Sequence, residues 1–239
     1  MPETGKRNNG ENTMPLSIAI LASGSGTNAQ SLIDKAAAGL LDADIRLIAG
    51  NRPNAKVFDR ARAAGIPHLA LDHTAFESRE AFDAAMVAAI RQSGAEYVVL
   101  AGYMRLLSSV FLSAFAGKIV NIHPALLPSF PGIHGGADAL AYGVKLSGCT
   151  VHFVEEVMDS GPVIIQAAVP VNAGESDNDL MGRIHPLEHR IYPQAVQWLA
   201  QRRLRVEGRQ VHLTPSGGRR ARRAPDDDWF VWPPLEEGF

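Results

Sequence analysis

Short apolar runs alternate with helical patterns through the first half of the chain. The run at 16–22 (LSIAILA) is almost continuously apolar, which is typical of a strand covered on both faces. The alternation predicts strands at 16–22, 44–51, 66–72, 97–102 and 118–124, and helices at 29–39, 55–65 and 78–94. Because connections of this length fit βαβ units, the chain is expected to form an α/β fold: a Rossmann-like, open, mostly parallel twisted sheet with helices on both faces.

The pattern changes after residue 124. Two prolines and three glycines fall within residues 125–136, so this segment is expected to be a loop. Apolar runs at 149–156 and 162–171 follow with few residues between them, which predicts an antiparallel pair appended to the parallel sheet. A terminal hairpin is expected at 204–213.

One long helical region is predicted at 176–200. Ser176, followed three residues later by Asp179, is typical of a capping box at its start. Pro186 and Pro193 fall inside the region. Because proline removes a backbone donor and clashes with the preceding turn, the helix is expected to kink or break at these positions.

A single domain at 15–213 is expected between a polar, disordered leader at 1–14 and a tail at 214–239. The tail joins a basic cluster (RRARR) to an acidic run, aromatic residues and prolines, a composition that predicts disorder. Its basic cluster leaves contact with nucleic acid or a membrane open as an alternative to a solvated tail.

Composition narrows the class of protein. The formal net charge is −2, so no overall field attracts the chain to nucleic acid or to an acidic membrane. The single cysteine, Cys149, excludes an internal disulfide framework and suits a reducing cytosol. No stretch approaches the roughly 18–20 apolar residues of a membrane span. We therefore expect a soluble cytoplasmic protein, with a monomer and a homodimer both left open.

The first candidate motif is SGSGTN at 23–28, between a predicted strand and a predicted helix. Backbone N–H groups at such a junction can hold an anion. Gly26 allows a ligand to approach closely, and Thr27 and Asn28 are expected to cap the helix and to donate to a phosphate. The motif is neither GxGxxG nor a Walker loop, so it favours a single phosphate, with a structural tight turn as the alternative.

The strongest motif is NIHPALLP at 121–128. Asn121 and His123 lie two residues apart at the carboxyl end of a predicted strand, where open α/β sheets bind ligands. An amide beside an imidazolium supplies the donors that a developing oxyanion needs. Asp159 occupies a glycine-bearing connection between two predicted strands, and spacing alone does not place it beside His123.

These motifs resemble those of the glycinamide ribonucleotide formyltransferases, which use a folate donor in purine synthesis. The resemblance runs from about Ser17 to Leu213 through SGSGTN, SREAFD, VVLAGYMRLL, NIHPALLPSFPG, CTVHFVEEVMDSGPVIIQ and EHRIYP. It implies a phosphate-binding half at about 15–117 and a catalytic and folate-binding half at about 118–213. The co-substrate it implies is 10-formyltetrahydrofolate.

The resemblance also implies roles for individual residues. Asn121, His123 and Asp159 would be catalytic, with Asp159 paired to His123. The acceptor would be bound by Gly26, Thr27, Asn28, His185, Pro186, Leu187 and Glu188. The folate would be bound by Arg79, Met104, Arg105, Leu106, Leu107, Asn121, Glu155, Glu156, Val157, Met158 and Asp159.

No metal site is expected, because the eight histidines lack ligand spacing. Three alternative functions remain open at this level: a hydrolase of the formyl-folate, a formyltransferase for another amine, and a non-catalytic ligand-binding protein. The presence of all three of Asn121, His123 and Asp159 argues against the last.

Overall fold

The computed structural model describes residues 14–222, 224 and 227–239, so the predicted leader lies outside the described residues except for Met14. The helices and strands, in chain order, are β1 (Leu16–Leu21), α1 (Thr27–Ala37), β2 (Ala43–Gly50), α2 (Val57–Ala63), β3 (His68–Ala70), α3 (Arg79–Ser93), β4 (Tyr97–Leu100), α4 (Ser109–Ala114), β5 (Ile119–His123), α5 (Gly135–Tyr142), β6 (Leu146–Phe153), β7 (Val163–Pro170), α6 (Asp177–Ala200), β8 (Leu204–Glu207), β9 (Gln210–Leu213) and β10 (Phe230–Trp232).

The described residues form one large sheet with the strand order β10-β7-β6-β5-β4-β1-β2-β3. Strands β1 to β5 are parallel, whereas β6, β7 and β10 are antiparallel to their neighbours. Strands β8 and β9 form a separate hairpin. The predicted α/β fold with an appended antiparallel part is therefore confirmed.

The central strand β1 is buried on both faces, as its apolar run predicts. Ile18 and Ile20 pack into one core cluster with α1 and α6. Ala19 and Leu21 pack into a second cluster on the opposite face, with residues of α3 and α4. Because consecutive strand residues point to opposite faces, a continuous apolar run is what two helical layers require.

Two helices depart from the expected pattern. The loop expected at 125–136 ends earlier, because α5 begins at Gly135. A Cβ at Gly135 would lie 2.9 Å from the Pro124 carbonyl oxygen, so the glycine allows the helix to pack closely on the segment after β5. Helix α6 continues unbroken through Pro186 and Pro193. Its burial against the sheet outweighs the donors that the prolines remove, so the predicted break is wrong.

The predicted capping box at the start of α6 is confirmed: the Ser176 side chain accepts from the Asp179 backbone N–H, and the Asp179 carboxylate accepts from the Ser176 N–H. The acidic first turn also complements the positive end of the helix dipole. The sequence signal and the structure agree here because a cap depends only on residues within one turn.

The prediction that 214–239 is disordered is wrong for residues 230–236. Phe230–Trp232 form β10, which pairs antiparallel with β7 and extends the sheet. Val231 and Leu235 are buried against the main core cluster. The Arg203 guanidinium makes a bidentate pair with the Glu236 carboxylate, with Nη2–Oε1 at 2.7 Å and Nη1–Oε2 at 3.1 Å. Composition does not reveal this docking, because two buried apolar residues and one ion pair suffice to hold the segment.

Replacing Glu236 with Ala is expected to destabilise the fold by about 1–3 kcal/mol, since Arg203 is buried and would lose both carboxylate oxygens. For a chain of this size that corresponds to a fall in Tm of roughly 2–10 °C, measurable by thermal unfolding. Burial alone would raise the pKa of Glu236, but its hydrogen bonds with Arg203 hold that pKa below its ordinary value. This stabilisation is therefore fully present above the unfolded pKa of 4.5 and should be lost as the pH falls through the lower pKa of Glu236 in the folded protein.

Glu237→Ala is the matched control, because Glu237 is the exposed neighbour of Glu236. Its Tm is expected to equal that of the wild type, and kcat should be unchanged in both variants. An unaltered Tm in Glu236→Ala would contradict a docked C-terminal segment.

Candidate active site

The candidate catalytic residues lie at the carboxyl end of β5. Asn121 and His123 lie two residues apart on this strand, so their side chains point to the same side of the sheet. In the antiparallel β5–β6 pair, Asn121 lies opposite His152 and His123 lies opposite Thr150. Directly opposed residues share a face, so these four side chains form one patch at the edge where α/β sheets bind ligands.

Asp159 lies in the turn between β6 and β7 and reaches back to β5. Its Oδ2 is 3.6 Å from His123 Nδ1, and its Oδ1 is 3.9 Å from His152 Nε2. Asp159 has a φ of 53°, a left-handed conformation that few residues other than glycine adopt. The structure thus brings together the three predicted catalytic residues, and a constrained turn presents the carboxylate to the imidazole.

The His123 ring is held between two acceptors. Its Nε2 donates to the Phe130 carbonyl oxygen at 2.8 Å, while Nδ1 faces Asp159. The Asp159 carboxylate also accepts from the Gly132 backbone N–H at 2.8 Å. A doubly protonated ring would satisfy both acceptors, so the arrangement suits a histidine that carries a proton to a reacting oxygen.

His152 also belongs to this site, although no sequence motif indicated it. Its Nδ1 donates to the Phe153 carbonyl oxygen at 2.8 Å, and its Nε2 lies 3.2 Å from Asn121 Nδ2. Burial lowers the pKa of His152, although the Phe153 hydrogen bond and the Asp159 charge act in the opposite direction. A neutral ring with the proton on Nδ1 leaves Nε2 to accept from the Asn121 amide.

That hydrogen bond fixes the orientation of the Asn121 amide, whose second N–H remains available for a ligand. The signal for His152 was present in the sequence, because CTVHFVEE was predicted as a strand in an antiparallel pair. Only the register, with Asn121 opposite His152, shows which of its residues faces the site. Register depends on the turn and on packing, which a single sequence does not display.

The SGSGTN motif forms the turn between β1 and α1. Gly26 has a φ of 71°, and a Cβ there would lie 2.5 Å from the Val57 side chain, so both conformation and space require glycine. Gly26 is itself the N-cap residue, and no side chain among the described residues caps the helix. The expectation that Thr27 and Asn28 cap the helix is therefore wrong: they occupy its first turn. First-turn N–H groups that no described side chain caps can bind an anion.

Asn28 connects this turn to α6. Its Nδ2 donates to Glu188 Oε2 at 2.8 Å. Burial raises the pKa of Glu188, while the Asn28 hydrogen bond and the charges of His185 and His123 act to lower it. Glu188 is therefore hydrogen-bonded to the predicted phosphate turn, and the charge of the candidate catalytic residue His123 also acts on it.

The other predicted acceptor-binding residues of α6 differ in exposure. His185 and Pro186 are exposed, whereas Leu187 is buried in the main core. The Leu187 side chain therefore packs the helix against the sheet and does not face a ligand.

The predicted folate segment follows β4. Met104 and Leu106 are each 56% exposed, although both are large apolar side chains. The Arg105 guanidinium lies over the Phe82 ring, and Leu107 packs against the second core cluster. The Met104 backbone N–H donates to the Ser23 hydroxyl at 2.8 Å, so the first residue of SGSGTN anchors this segment.

The second predicted folate wall is the β6–β7 turn. Glu155, Glu156, Val157 and Met158 are all exposed. Val157 is 69% exposed, so both predicted walls present apolar side chains to solvent beside the catalytic group. Arg79 opens α3 as expected, but its ion pair is with the neighbouring Glu80 and does not tie it to the catalytic residues.

Within the described ranges, no group of three or more His, Cys, Asp or Glu side chains is placed to hold a metal ion. No helix in the part of the chain that the structure describes is long and apolar enough to cross a membrane.

Residues 16–196 match the family model described as formyl transferase. The chain therefore belongs to the formyl transferase family. It is 43% identical over 191 residues to the phosphoribosylglycinamide formyltransferase of Escherichia coli (strain K12), which covers 80% of this chain and 90% of that protein. It is 44% identical over 184 residues to the trifunctional purine biosynthetic protein adenosine-3 of Drosophila melanogaster, covering 76% of this chain and 14% of that protein.

The chain is also similar to a solved structure of a related protein. The crystal structure of glycinamide ribonucleotide transformylase 1 from Symbiobacterium toebii superposes with a TM-score of 0.84 at 44% sequence identity, covering 89% of this chain and 100% of that chain. The similarity therefore extends over the fold that carries the catalytic cluster and over the turn between β1 and α1.

Proposed function

We propose that this protein transfers the formyl group of 10-formyltetrahydrofolate to the amine of 5-phosphoribosylglycinamide, a step of purine biosynthesis. The observation that carries the proposal is the cluster of Asn121, His123 and Asp159 at the carboxyl end of the sheet. It occurs in a member of the formyl transferase family that is 43% identical over 191 residues to a phosphoribosylglycinamide formyltransferase.

The cluster suits direct transfer without a covalent enzyme intermediate. The acceptor nitrogen attacks the formyl carbon, and the carbonyl electron pair moves onto the formyl oxygen. The free N–H of Asn121 and the His123 imidazolium donate to that oxygen, where charge develops. The formyl oxygen would share or replace the Phe130 carbonyl oxygen as the acceptor for His123 Nε2.

Collapse of the adduct breaks the bond between the formyl carbon and the folate nitrogen. The attacking amine loses a proton, and the leaving nitrogen takes one up. Asp159 is the base nearest to His123 and is positioned to assist this transfer, directly or through a water molecule. Cys149 is fully buried and plays no part in this scheme.

The acceptor site uses the turn between β1 and α1. The backbone N–H groups at Gly26, Thr27 and Asn28 would hold the phosphate at the positive end of the helix dipole. Glu188, held by Asn28, would accept from the ribose hydroxyls. His185 and Pro186 would line the exposed side of this site, and the Leu187 contribution is limited to its backbone.

The folate site lies across the catalytic cluster from the acceptor. The exposed apolar side chains of Met104 and Leu106 on one side, and of Val157 and Met158 on the other, suit a flat pterin ring. Backbone groups of Arg105 and Leu107 would read its polar edge, and Glu155 and Glu156 complete the second wall. Arg79 would contact the outer part of the folate.

Replacing Glu188 with Gln is expected to raise the KM for 5-phosphoribosylglycinamide about 10- to 100-fold, because a charge-assisted hydrogen bond to the ribose becomes a neutral one. The KM for the folate should be unchanged, since Glu188 lies on the acceptor side. Steady-state kinetics with each substrate varied in turn would measure both values. Glu175→Gln is the matched control on the segment before α6, and an equal rise in both KM values would contradict an acceptor-side role.

An acceptor screen tests the proposed function. Purified protein would be supplied with 10-formyltetrahydrofolate and 5-phosphoribosylglycinamide, glycinamide riboside, an amino sugar or no acceptor. Formyl transfer, tetrahydrofolate and formate would each be followed. Tetrahydrofolate equal to formylated 5-phosphoribosylglycinamide supports the proposal, and formate release without transfer would identify a hydrolase instead.

We further propose that the protein works in the cytoplasm on these small molecules, as a monomer or a homodimer. Sedimentation of the purified protein across a range of concentrations and pH would distinguish the two assembly states.

A further inference from the structure

The loop that follows β5 contacts the His123 ring directly and also contacts Asp159, the carboxylate beside that ring. Its Phe130 carbonyl oxygen accepts from His123 Nε2, and its Gly132 N–H donates to Asp159 Oδ2. The position of this loop therefore decides the plane of the imidazole and the direction of the carboxylate. Residues 124–132, defined here as the His123 loop, contain no helix or strand of their own.

Two side chains outside the loop fix its first half. The fully buried Thr150 hydroxyl donates to the Ala125 carbonyl oxygen at 2.7 Å and accepts from the Leu127 N–H at 3.1 Å. The Gln166 amide donates to the Leu127 carbonyl oxygen at 2.9 Å and to the Thr150 hydroxyl at 3.0 Å.

These bonds use the whole capacity of the hydroxyl, which can donate once and accept twice. They also tie the backbone of Ala125 and Leu127, the two buried residues of the loop, to the sheet. Thr150 lies directly opposite His123 in the β5–β6 pair, and Gln166 lies directly opposite Thr150 in the β6–β7 pair. The two side chains thus form a row across the sheet that begins at the catalytic histidine.

The loop is strained where it meets the histidine. Phe130 has a φ of 53°, in the left-handed region that non-glycine residues rarely occupy. Such a conformation persists only where surrounding contacts hold it. Thr150 and Gln166 supply part of that constraint, because they bond to the loop backbone three to five residues before Phe130. The close packing of Gly135 on Pro124 supplies the rest.

We propose that Thr150 and Gln166 are positioning residues for formyl transfer, which hold the His123 loop so that Phe130 and Asp159 orient the His123 ring. The proposal rests on the proposed function for its effect on rate, but its structural content concerns the loop alone. Neither residue touches the reacting atoms. Their substitution should therefore act on kcat through the His123 ring and leave the acceptor site intact.

Thr150→Val tests the proposal, because it removes the hydroxyl and keeps the shape of the side chain. We expect kcat to fall about 10- to 100-fold, as a displacement of a catalytic group by about 1 Å can produce. The KM for 5-phosphoribosylglycinamide should be unchanged. Thr150→Ser retains the hydroxyl and should recover most of the lost kcat, which a role in packing alone would not predict.

Ser147→Ala is the matched control. Ser147 lies in the same strand and is equally buried, but its hydroxyl has no hydrogen-bond partner among the described residues. Its removal should leave kcat unchanged. Gln166→Met, at a less buried position, provides a second variant if Thr150→Val does not fold, and the same fall in kcat is expected.

A crystal structure of the Thr150→Val or Gln166→Met variant separates this proposal from the proposed function. We expect the Phe130 carbonyl oxygen to move out of hydrogen-bond distance of His123 Nε2. A variant loop that superposes on the wild-type loop would overturn the positioning role, whatever the activity. Wild-type kcat in both variants, or a loss that Thr150→Ser does not recover, would also overturn it. Absence of formyl transfer in the wild type would instead count against the proposed function.

Discussion

Asp159→Asn is expected to lower kcat about 100- to 10,000-fold, the range that a positioned acid–base group contributes. The change removes the negative charge beside the His123 ring and keeps the size of the side chain. Asn tolerates the left-handed backbone that Asp159 adopts, and its amide oxygen can still accept from the Gly132 N–H. The loss should therefore report on charge and proton transfer, with little contribution from misfolding.

Single-turnover and steady-state rates, together with thermal unfolding, would measure this effect. Asp44→Asn is the matched control, because Asp44 is partly exposed at the start of β2, at the end of the parallel strands opposite to the cluster of Asn121, His123 and Asp159. Near wild-type turnover in Asp159→Asn would refute the assignment of Asp159 as a proton-transfer group. A lowered Tm in parallel with kcat would point to a structural effect.

Asn121→Ala is expected to lower kcat about 100- to 1000-fold, the usual effect of removing one oxyanion donor. The KM for either substrate should change much less, because the donor acts where charge develops in the transition state. Asn121 is partly exposed at the end of β5, so truncation leaves little buried volume empty.

The kcat of Asn121→Ala should be compared with that of Asn172→Ala, an exposed asparagine after β7. The Asn172 variant should have wild-type kcat. If Asn121→Ala instead raised a KM and kept kcat, Asn121 would be a ground-state binding residue and the oxyanion role would be wrong.

The two variants probe different partners of the same cluster. The Asn121 amide is oriented by neutral His152, and the His123 ring is oriented by Asp159 and Phe130. Because these groups act as one unit, the double variant Asn121→Ala/Asp159→Asn should lose less than the product of the two single effects. Additive losses would indicate that the two residues act in separate steps.

Much of the fold could be predicted from local patterns. The continuous apolar run of β1 indicated a strand between two layers, and Ser176 with Asp179 indicated the start of α6. Such features depend on residues close in sequence, whose side chains reveal burial and capping directly. Pro186 was misleading because its local cost is offset by burial of α6 against the sheet, which is a property of the whole molecule.

The C-terminal segment also shows that local patterns do not reveal contacts between distant parts of the chain. Its charges and prolines are typical of a disordered tail, yet Val231 is buried and Glu236 pairs with Arg203. Arg203 lies 33 residues earlier in the chain, so the pairing cannot be inferred from the composition of the segment. Long-range partners, and not local propensity, decide whether such a segment docks.

The α/β class, the tight turn at Gly26 and the pair of Asn121 and His123 at a strand end could be predicted from local patterns, because hydrophobic period and glycine geometry are local properties. Asp159 was assigned only by family resemblance. The tertiary structure decided that its carboxylate lies 3.6 Å from His123, that His152 orients Asn121, and that Thr150 holds the His123 loop. These contacts depend on strand register and turn conformation, which arise only when distant segments pack together.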